Sequence, residues 1–276
     1  ESKRLKILER AWLNGGLSFR ACFSDITKKI SANKIVSNFI RDKIKRIVKD
    51  KHIAKILTDF GHPFTTKRPT LNTNYFEIFN RKNVQLVDLK TNPIIKITKK
   101  GIKTKNEELK FDKIIFATGY DALTGPILSL NLTGRKNIKL KKYWKNGPKT
   151  FLGIMIPNFP NFFVISGPGS PSVLTNVPAQ IEQHVEWISK FIKHLEKVGS
   201  SKVEPRIKET ENWVNEINIL ANKSLFMKAK NSWYKGDNIP GKPKKFIPYP
   251  AGLPQYREIC NKVQKKMYKG FNISLK

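Results

Sequence analysis

Two apolar runs, each closed by glycine, constrain the fold of this chain more than any other feature. Residues 111–119 (FDKIIFATG) end in Ala117-Thr118-Gly119, and Asn161 to Ser166 (NFFVIS) stops at Gly167-Pro168-Gly169-Ser170-Pro171. A run apolar at consecutive positions is the mark of a strand buried on both faces, as in a parallel sheet covered by helices. The same runs interleaved with helical patterns therefore predict an α/β fold.

The helical patterns are clear. Ile35, Phe39, Ile40, Ile44, Ile47, Val48, Ile53 and Leu57 recur at helical spacing and predict two helices within 28–57, the first opening near Ser31 or Asn33 as cap. Pro63 and Pro69 bracket an extended loop that carries Lys67-Arg68. Asn83–Asp88 alternates like a short strand, and Ile94–Ile97 with Gly101–Lys103 reads as strand, turn and strand. Ile181, Val185, Ile188, Phe191, Ile192 and Leu195 predict a long helix from Pro178 to a stop at Gly199, with His184 and His194 on its surface. A further helix is expected from Pro205 to about Leu225, a Gly- and Pro-rich loop from Trp233 to Pro254, and a closing helix in 255–269.

Charge invites a nucleic-acid reading, because 53 Lys+Arg against 21 Asp+Glu leave +32. Spread over the roughly 12,000 Å² that a compact chain of this mass exposes, that charge stands about 20 Å apart, beyond a Debye length of about 8 Å. Only ten of the basic residues are Arg, the side chain suited to base and phosphate forks. The basic runs are interleaved with Asn and Ile, not stacking aromatics, so a lysine-coated surface is expected and no specific nucleic-acid partner. No apolar stretch is long enough to span a membrane. Two cysteines make no disulfide framework and suit a reducing, cytoplasmic setting. Glu1-Ser2-Lys3-Arg4 reads as a chain entered partway through.

Hydrolytic and metal chemistry find no support. There is no Gly-x-Ser-x-Gly elbow, no P-loop, no Gly-x-Gly-x-x-Gly and no pair of histidines at helical i, i+4 spacing. What remains is a strand–glycine–helix arrangement at Ala117-Thr118-Gly119 and again at Ser166 to Thr175. In open α/β sheets ligands bind beyond the carboxyl ends of strands, where glycine admits close approach and a helix N-terminus offers free N–H groups. That arrangement fits an empty crossover as well as it fits a ligand site.

Longer words carry more. Lys67-Arg68-Pro69, residues 74–84 (NYFEIFNRKNV), residues 116–125 (FATGYDALTG), residues 167–172 (GPGSPS) and residues 231–243 (NSWYKGDNIPGKP) occur in the order in which they stand in type I Baeyer–Villiger monooxygenases, which the chain closely resembles from about Trp12 onward. The resemblance implies a two-dinucleotide-binding-domain flavoprotein of Rossmann-like α/β type. It uses FAD and NADPH to insert one oxygen of O₂ beside a ketone, giving an ester or lactone through a C4a-peroxyflavin. It also implies that residues 1–116 are the remainder of an NADPH-binding domain and 117–276 the C-terminal part of an FAD-binding domain, with a mobile tryptophan loop at 231–254.

Residue by residue, the resemblance makes Arg68 the catalytic arginine. A planar, permanently charged fork suits a peroxide anion and a tetrahedral oxyanion. Lys67 matches the position that selects NADPH through its 2′-phosphate. Thr118, Gly119, Asp121, Ser172, Val173, Leu174, Thr175, Asn176 and Val177 match cofactor contacts, and Trp233 matches the loop tryptophan that folds over nicotinamide and substrate. Leu174, Val177, Ile247 and Pro248 match substrate-lining positions. Pro248 departs from the bulkier or more flexible apolar residue usual there.

The family's two glycine-rich nucleotide motifs and its Phe-x-Gly-x-x-x-His-x-x-x-Trp fingerprint would precede Glu1 and do not occur here. The expectation is the C-terminal part of such an enzyme, from an incomplete coding sequence, with the N-terminal half of the same enzyme as its missing partner. Alone it is expected to be inactive and unable to hold FAD tightly, with the apolar faces of Phe111–Phe116 and Phe162–Ser166 bare for want of sheet neighbours. Two alternatives stay open: an N- or S-oxygenating flavin monooxygenase, and a non-catalytic cationic remnant that binds nucleic acid.

Overall fold

A computed structural model describes residues 2–275, and the chain divides into two compact units. One holds the chain up to Ser24 with Ser31–Phe64 and Pro69–Tyr120; the other holds Asp25–Ile30, Thr65–Arg68 and the chain from Asp121 on.

In the first unit, helix α1 (Ser2–Asn14), which the sequence did not announce, precedes α2 (Ile30–Ile47) and α3 (Lys51–Thr58). The expected apolar stripe packs: Ile44, Val48 and Ala54 are buried, with Ile40, Ile53, Leu57, Phe60, Phe76 and Phe79 against them. Asp50 caps α3, its carboxylate accepting from the N–H groups of His52 at 2.8 Å and Ile53 at 2.9 Å. Helix α2 begins at Ile30, so neither Ser31 nor Asn33 is its cap. Asn33 is instead buried, donating to the Phe64 carbonyl and accepting from the Phe64 N–H, both at 2.9 Å. A primary amide matches a peptide's donor and acceptor together, and that tertiary pairing overrides the local capping preference.

The hairpin forms as expected, from β1 (Ile94–Ile97) and β2 (Gly101–Thr104), and a third antiparallel strand β3 (Glu108–Lys110) joins it. A Cβ at Gly101 would stand 1.9 Å from the Leu109 carbonyl oxygen, so the close strand approach requires glycine there. The expected strands at Asn83–Asp88 and 111–119 do not form. Among the described residues no strand pairs with them, the Phe111 N–H on the Lys100 carbonyl at 3.0 Å being an isolated bond, and far from being buried on both faces, Ile115 is 91%, Phe116 65% and Tyr120 88% exposed. Their apolar character alone gives no ladder partner, and unpaired backbone stays out of sheet. The bare face expected for Phe111–Phe116 is what the structure shows, but the one expected for Phe162–Ser166 is not: Val164 is buried, and Phe162 and Phe163 pack against core clusters.

The second unit starts with two short helices, α4 (Gly125–Ser129) and α5 (Leu140–Tyr143). The run 161–166 is likewise no strand; it is held by a single bridge of Phe163 to Met155 and by the Val164 N–H on the Ile154 carbonyl at 2.7 Å, and Ile165 lies open to solvent. Both sheets among the described residues are antiparallel, so the parallel sheet expected from the two runs is absent from them.

Helix α6 (Val177–Lys197) is capped by Asn176, whose side chain accepts from the Ala179 N–H at 3.3 Å, and carries Pro178 in its first turn. Its buried face is Gln180, Gln183, His184, Trp187, Ile188, Phe191 and Leu195. The expected stripe is therefore rotated, and Ile181, Val185 and Ile192 are exposed. Strand β4 (Ser200–Pro205) pairs antiparallel with the last strand β5 (Phe271–Leu275), an unforeseen ribbon, while α7 (Ile207–Asn222) and α8 (Leu253–Lys265) fall where expected. Aromatic packing dominates the core: Phe191 stacks on Tyr268 with centroids 4.0 Å apart and Trp213 on Tyr249 at 4.9 Å. No helix among the described residues is long and apolar enough to cross a membrane.

Candidate functional site

The residues singled out by sequence fall into three segments of the second unit, with Asp121 outside these segments in the same unit and Thr118 and Gly119 apart from them, exposed, in the first.

The first segment is Thr65–Arg68. Thr65, at φ 68°, and Thr66 are buried, which fixes the base of the segment and leaves Lys67 half-buried and Arg68 exposed. Arg68 reaches across 105 residues of sequence to donate from Nη1 to the Val173 carbonyl at 2.5 Å and the Thr175 carbonyl at 3.3 Å. Carbonyls orient a guanidinium without neutralising it, so its charge remains available. No carboxylate pairs with Arg68 among the described residues.

The second segment is the turn 166–177 into α6. Gly167 and Gly169 permit it: a Cβ on Gly167 would lie 2.5 Å from the Gly153 carbonyl oxygen, and one on Gly169 2.9 Å from the Thr150 hydroxyl. Ser170 is buried and donates from Oγ to the Gly167 carbonyl at 2.7 Å. Ser172, at φ 46°, and Leu174 are buried, Val173, Thr175 and Val177 half-buried, and Asn176 is the exposed cap. A 21-residue helix thus begins just beyond Thr175, to which Arg68 is bonded, so its positive end adjoins that segment.

The third segment is the loop 231–254. Its outgoing limb pairs with the second segment: Gly169 donates to the Ile247 carbonyl at 2.8 Å, and Tyr249 to the Ser170 carbonyl at 2.7 Å. Ile247 and Pro248 are buried there. Trp233 is half-buried, its ring centroid 4.8 Å from that of Tyr234. Asp237 closes the tip, accepting from the Ser232 N–H at 2.5 Å and pairing with Lys235 at 3.0 Å. Asp121, the first residue after the passage from the first unit, forms an ion pair with Lys242 of this loop.

Sequence reasoning placed His184 on the surface, and the structure corrects this: it is fully buried. Its Nδ1 accepts from the Ser166 N–H at 3.2 Å, at the entry to the second segment, so the ring proton sits on Nε2, 2.6 Å from the Tyr256 hydroxyl. Tyr256 donates onward to the Leu152 carbonyl at 2.5 Å. Burial lowers the imidazole pKa to about 4, keeping it neutral. The shared helix face of Gln180, His184 and Trp187 was the available signal, masked by the richer apolar stripe beside it. Nothing in the sequence marked Lys242.

No family model matches the chain. It is 40% identical to a Baeyer–Villiger monooxygenase of Pseudooceanicola batsensis over 96% of its own length and 48% of that protein's. It is 36% identical to the phenazine N-monooxygenase PhzNO1 of Lysobacter antibioticus over 98% of its length and 50% of that protein's. Among solved structures it superposes on a closed form of cyclohexanone monooxygenase with a TM-score of 0.95 at 36% identity, covering 100% of this chain and 52% of that one. For OTEMO in complex with FAD and NADP the values are 0.87, 33%, 91% and 46%. The chain spans about half the length of the curated relatives it matches.

Proposed function

We infer that this chain, which corresponds in sequence and fold to the C-terminal half of a Baeyer–Villiger monooxygenase, is the part of such an enzyme that holds the catalytic arginine, the closing loop and the ketone pocket. The observation that carries this is the bond of Arg68 to Val173 and Thr175, which sets a permanent cation at the mouth of a long helix.

FAD and NADPH are the cofactors proposed, and the residues present fit them. The buried hydroxyls of Thr65, Thr124 and Ser232 lack hydrogen-bond partners, and each stands within three residues of Arg68, Asp121 or Trp233. Buried hydroxyls without partners are costly unless something else meets them. When bound, these cofactors supply the two electrons that let O₂ give one oxygen atom to a ketone and the other to water.

Arg68 stabilises negative charge on the attacking oxygen and on the oxygen of the tetrahedral adduct, and it loses no proton in doing so. Val173 and Thr175 hold one edge of its fork, leaving the other edge for the reactants. The N-terminus of α6, with Ser172 to Val177 before it, favours negative charge on a reduced flavin ring. Lys67 offers an ammonium to the 2′-phosphate of NADPH, Thr118, Gly119 and Asp121 complete the cofactor contacts, and Trp233 excludes water over the nicotinamide. Leu174, Val177, Ile247 and Pro248 give the ketone an apolar wall.

The test is a chimera in which this chain follows the first half of the Pseudooceanicola batsensis relative. Ketone-dependent NADPH oxidation with ester formation is expected. Arg68→Ala should cut ester formation at least 100-fold, about 2.7 kcal/mol of transition-state stabilisation, while flavin reduction persists. Undiminished ester formation by Arg68→Ala overturns the role of Arg68. The likeness to a phenazine N-monooxygenase favours one second reading, N-oxygenation of a nitrogen substrate such as a heteroaromatic ring nitrogen or an amine. Amine-dependent turnover that survives Arg68→Ala would establish it.

A further inference from the structure

The loop 231–254 is secured to its unit in two different ways. Its outgoing limb is held by backbone bonds, from Gly169 to Ile247 and from Tyr249 to Ser170, and by cross-bonds of Lys245 to Lys235 at 3.0 Å and Ile247 to Tyr234 at 2.8 Å. Backbone ladders of this kind do not depend on side-chain identity. Its tip differs: the backbone bonds of Ile239 to Gly236 and of Lys242 to Ile239 are local turns. A long-range tie of that tip is a side-chain one, the ion pair of Lys242 with Asp121.

This pair is built into its surroundings. Asp121 lies on Gly125, where a Cβ would come within 2.9 Å of the aspartate Cβ and Cγ. The stem of Lys242 lies on Gly236, where a Cβ would come within 3.2 Å of its Cδ and Cε. Gly236 has φ +70°, so it serves the turn and the lysine bed together. The lysine side chain is only 12% exposed and its carboxylate partner 37%, so the cation is the shielded member of the pair.

We propose that Asp121 and Lys242 form a latch. Their ion pair holds the tip of the loop against Asp121, and both act as positioning residues for Trp233. Asp121 opens the longest stretch of its unit, Asp121–Lys276, so the latch joins the tip to the start of that stretch. The part assigned to Trp233 rests on the monooxygenase reading above; the latch itself does not.

The experiment is amide hydrogen exchange on this chain, read by mass spectrometry on peptides covering 231–247 and, as a folding control, 177–197. Asp121→Asn and Lys242→Met should each speed exchange of the loop peptides at least tenfold and leave the α6 peptides unchanged. The double variant should be no faster than either single one, and Lys242→Arg should keep the slow rate. The exchanged pair Asp121→Lys with Lys242→Asp should recover part of the protection. Loop exchange unmoved by the single variants, or additive in the double, overturns the latch. If either single variant fails to fold, as fast exchange across α6 would show, the comparison of Lys242→Arg with wild type and the exchanged pair decides: loss of protection in both overturns the proposal. In the chimera, Lys242→Met should raise KM for NADPH several-fold with a smaller change in kcat. Loop release without that kinetic effect would sink the role of Trp233 and leave the latch standing.

Discussion

His184 ties the stability of the second unit to pH through a single buried ring. Its neutral ring holds the Ser166 N–H only while Nδ1 is unprotonated. Its pKa lies near 4 in the fold against an ordinary 6.5. Between those values the unfolded chain binds the proton that the folded chain refuses, so stability rises with pH through this window and is lost as pH falls. The difference is worth on the order of 3 kcal/mol. Urea midpoints of wild type minus His184→Gln, measured from pH 7 to pH 4, should therefore show the wild type losing its advantage as pH drops; a flat difference would contradict the assignment. Neither the burial of His184 nor the role of Asn33 is legible in the local sequence. An asparagine near a helix start looks like a cap, and only the fold reveals that its amide is occupied by Phe64.

At the level of elements, legibility followed local determinants. Helices α2, α3, α6, α7 and α8 were readable because periodicity, caps and breakers all lie within a few residues of one another. The Asn176 cap of α6 was not read in advance; Asn176→Ala should lower stability by about 1 kcal/mol, measured by urea unfolding. The ribbon of β4 and β5 was invisible because Val203 meets Ile273 far along the chain, beyond both α7 and α8, and no local pattern encodes such a pairing. The hairpin of β1 and β2 was visible, yet the demand behind its glycine was not. Gly101→Ala should destabilise the three-stranded sheet by more than about 1 kcal/mol, seen as faster amide exchange in Gly101–Thr104 with α2 unchanged. Apolar composition misled at 111–119 and 161–166, where strands were expected and only isolated bonds such as Phe111 to Lys100 and the Phe163–Met155 bridge form.

For the whole molecule, the resemblance to Baeyer–Villiger monooxygenases was carried by words such as FATGYDALTG and NSWYKGDNIPGKP, whose order along the chain no composition argument supplies. The geometry joining Arg68 to Val173 could not be seen in them, since it depends on a contact across 105 residues. The exposed run at Ile115, Phe116 and Tyr120 has a consequence in solution, because contiguous bare apolar surface promotes self-association. The isolated chain should bind a hydrophobic dye and sediment as mixed oligomers, and Ile115→Lys with Phe116→Ser should reduce both effects several-fold. A monodisperse, dye-negative wild-type chain would refute this.

Arg68 belongs to the second unit through a stretch of only four residues, Thr65–Arg68, flanked on both sides by stretches of the first. No single cut of the gene can therefore separate the two units intact. A piece begun at Asp121 would keep the tryptophan loop and the long helix but leave the guanidinium behind, so dissection or recombination of these units must carry that four-residue stretch across as an insert.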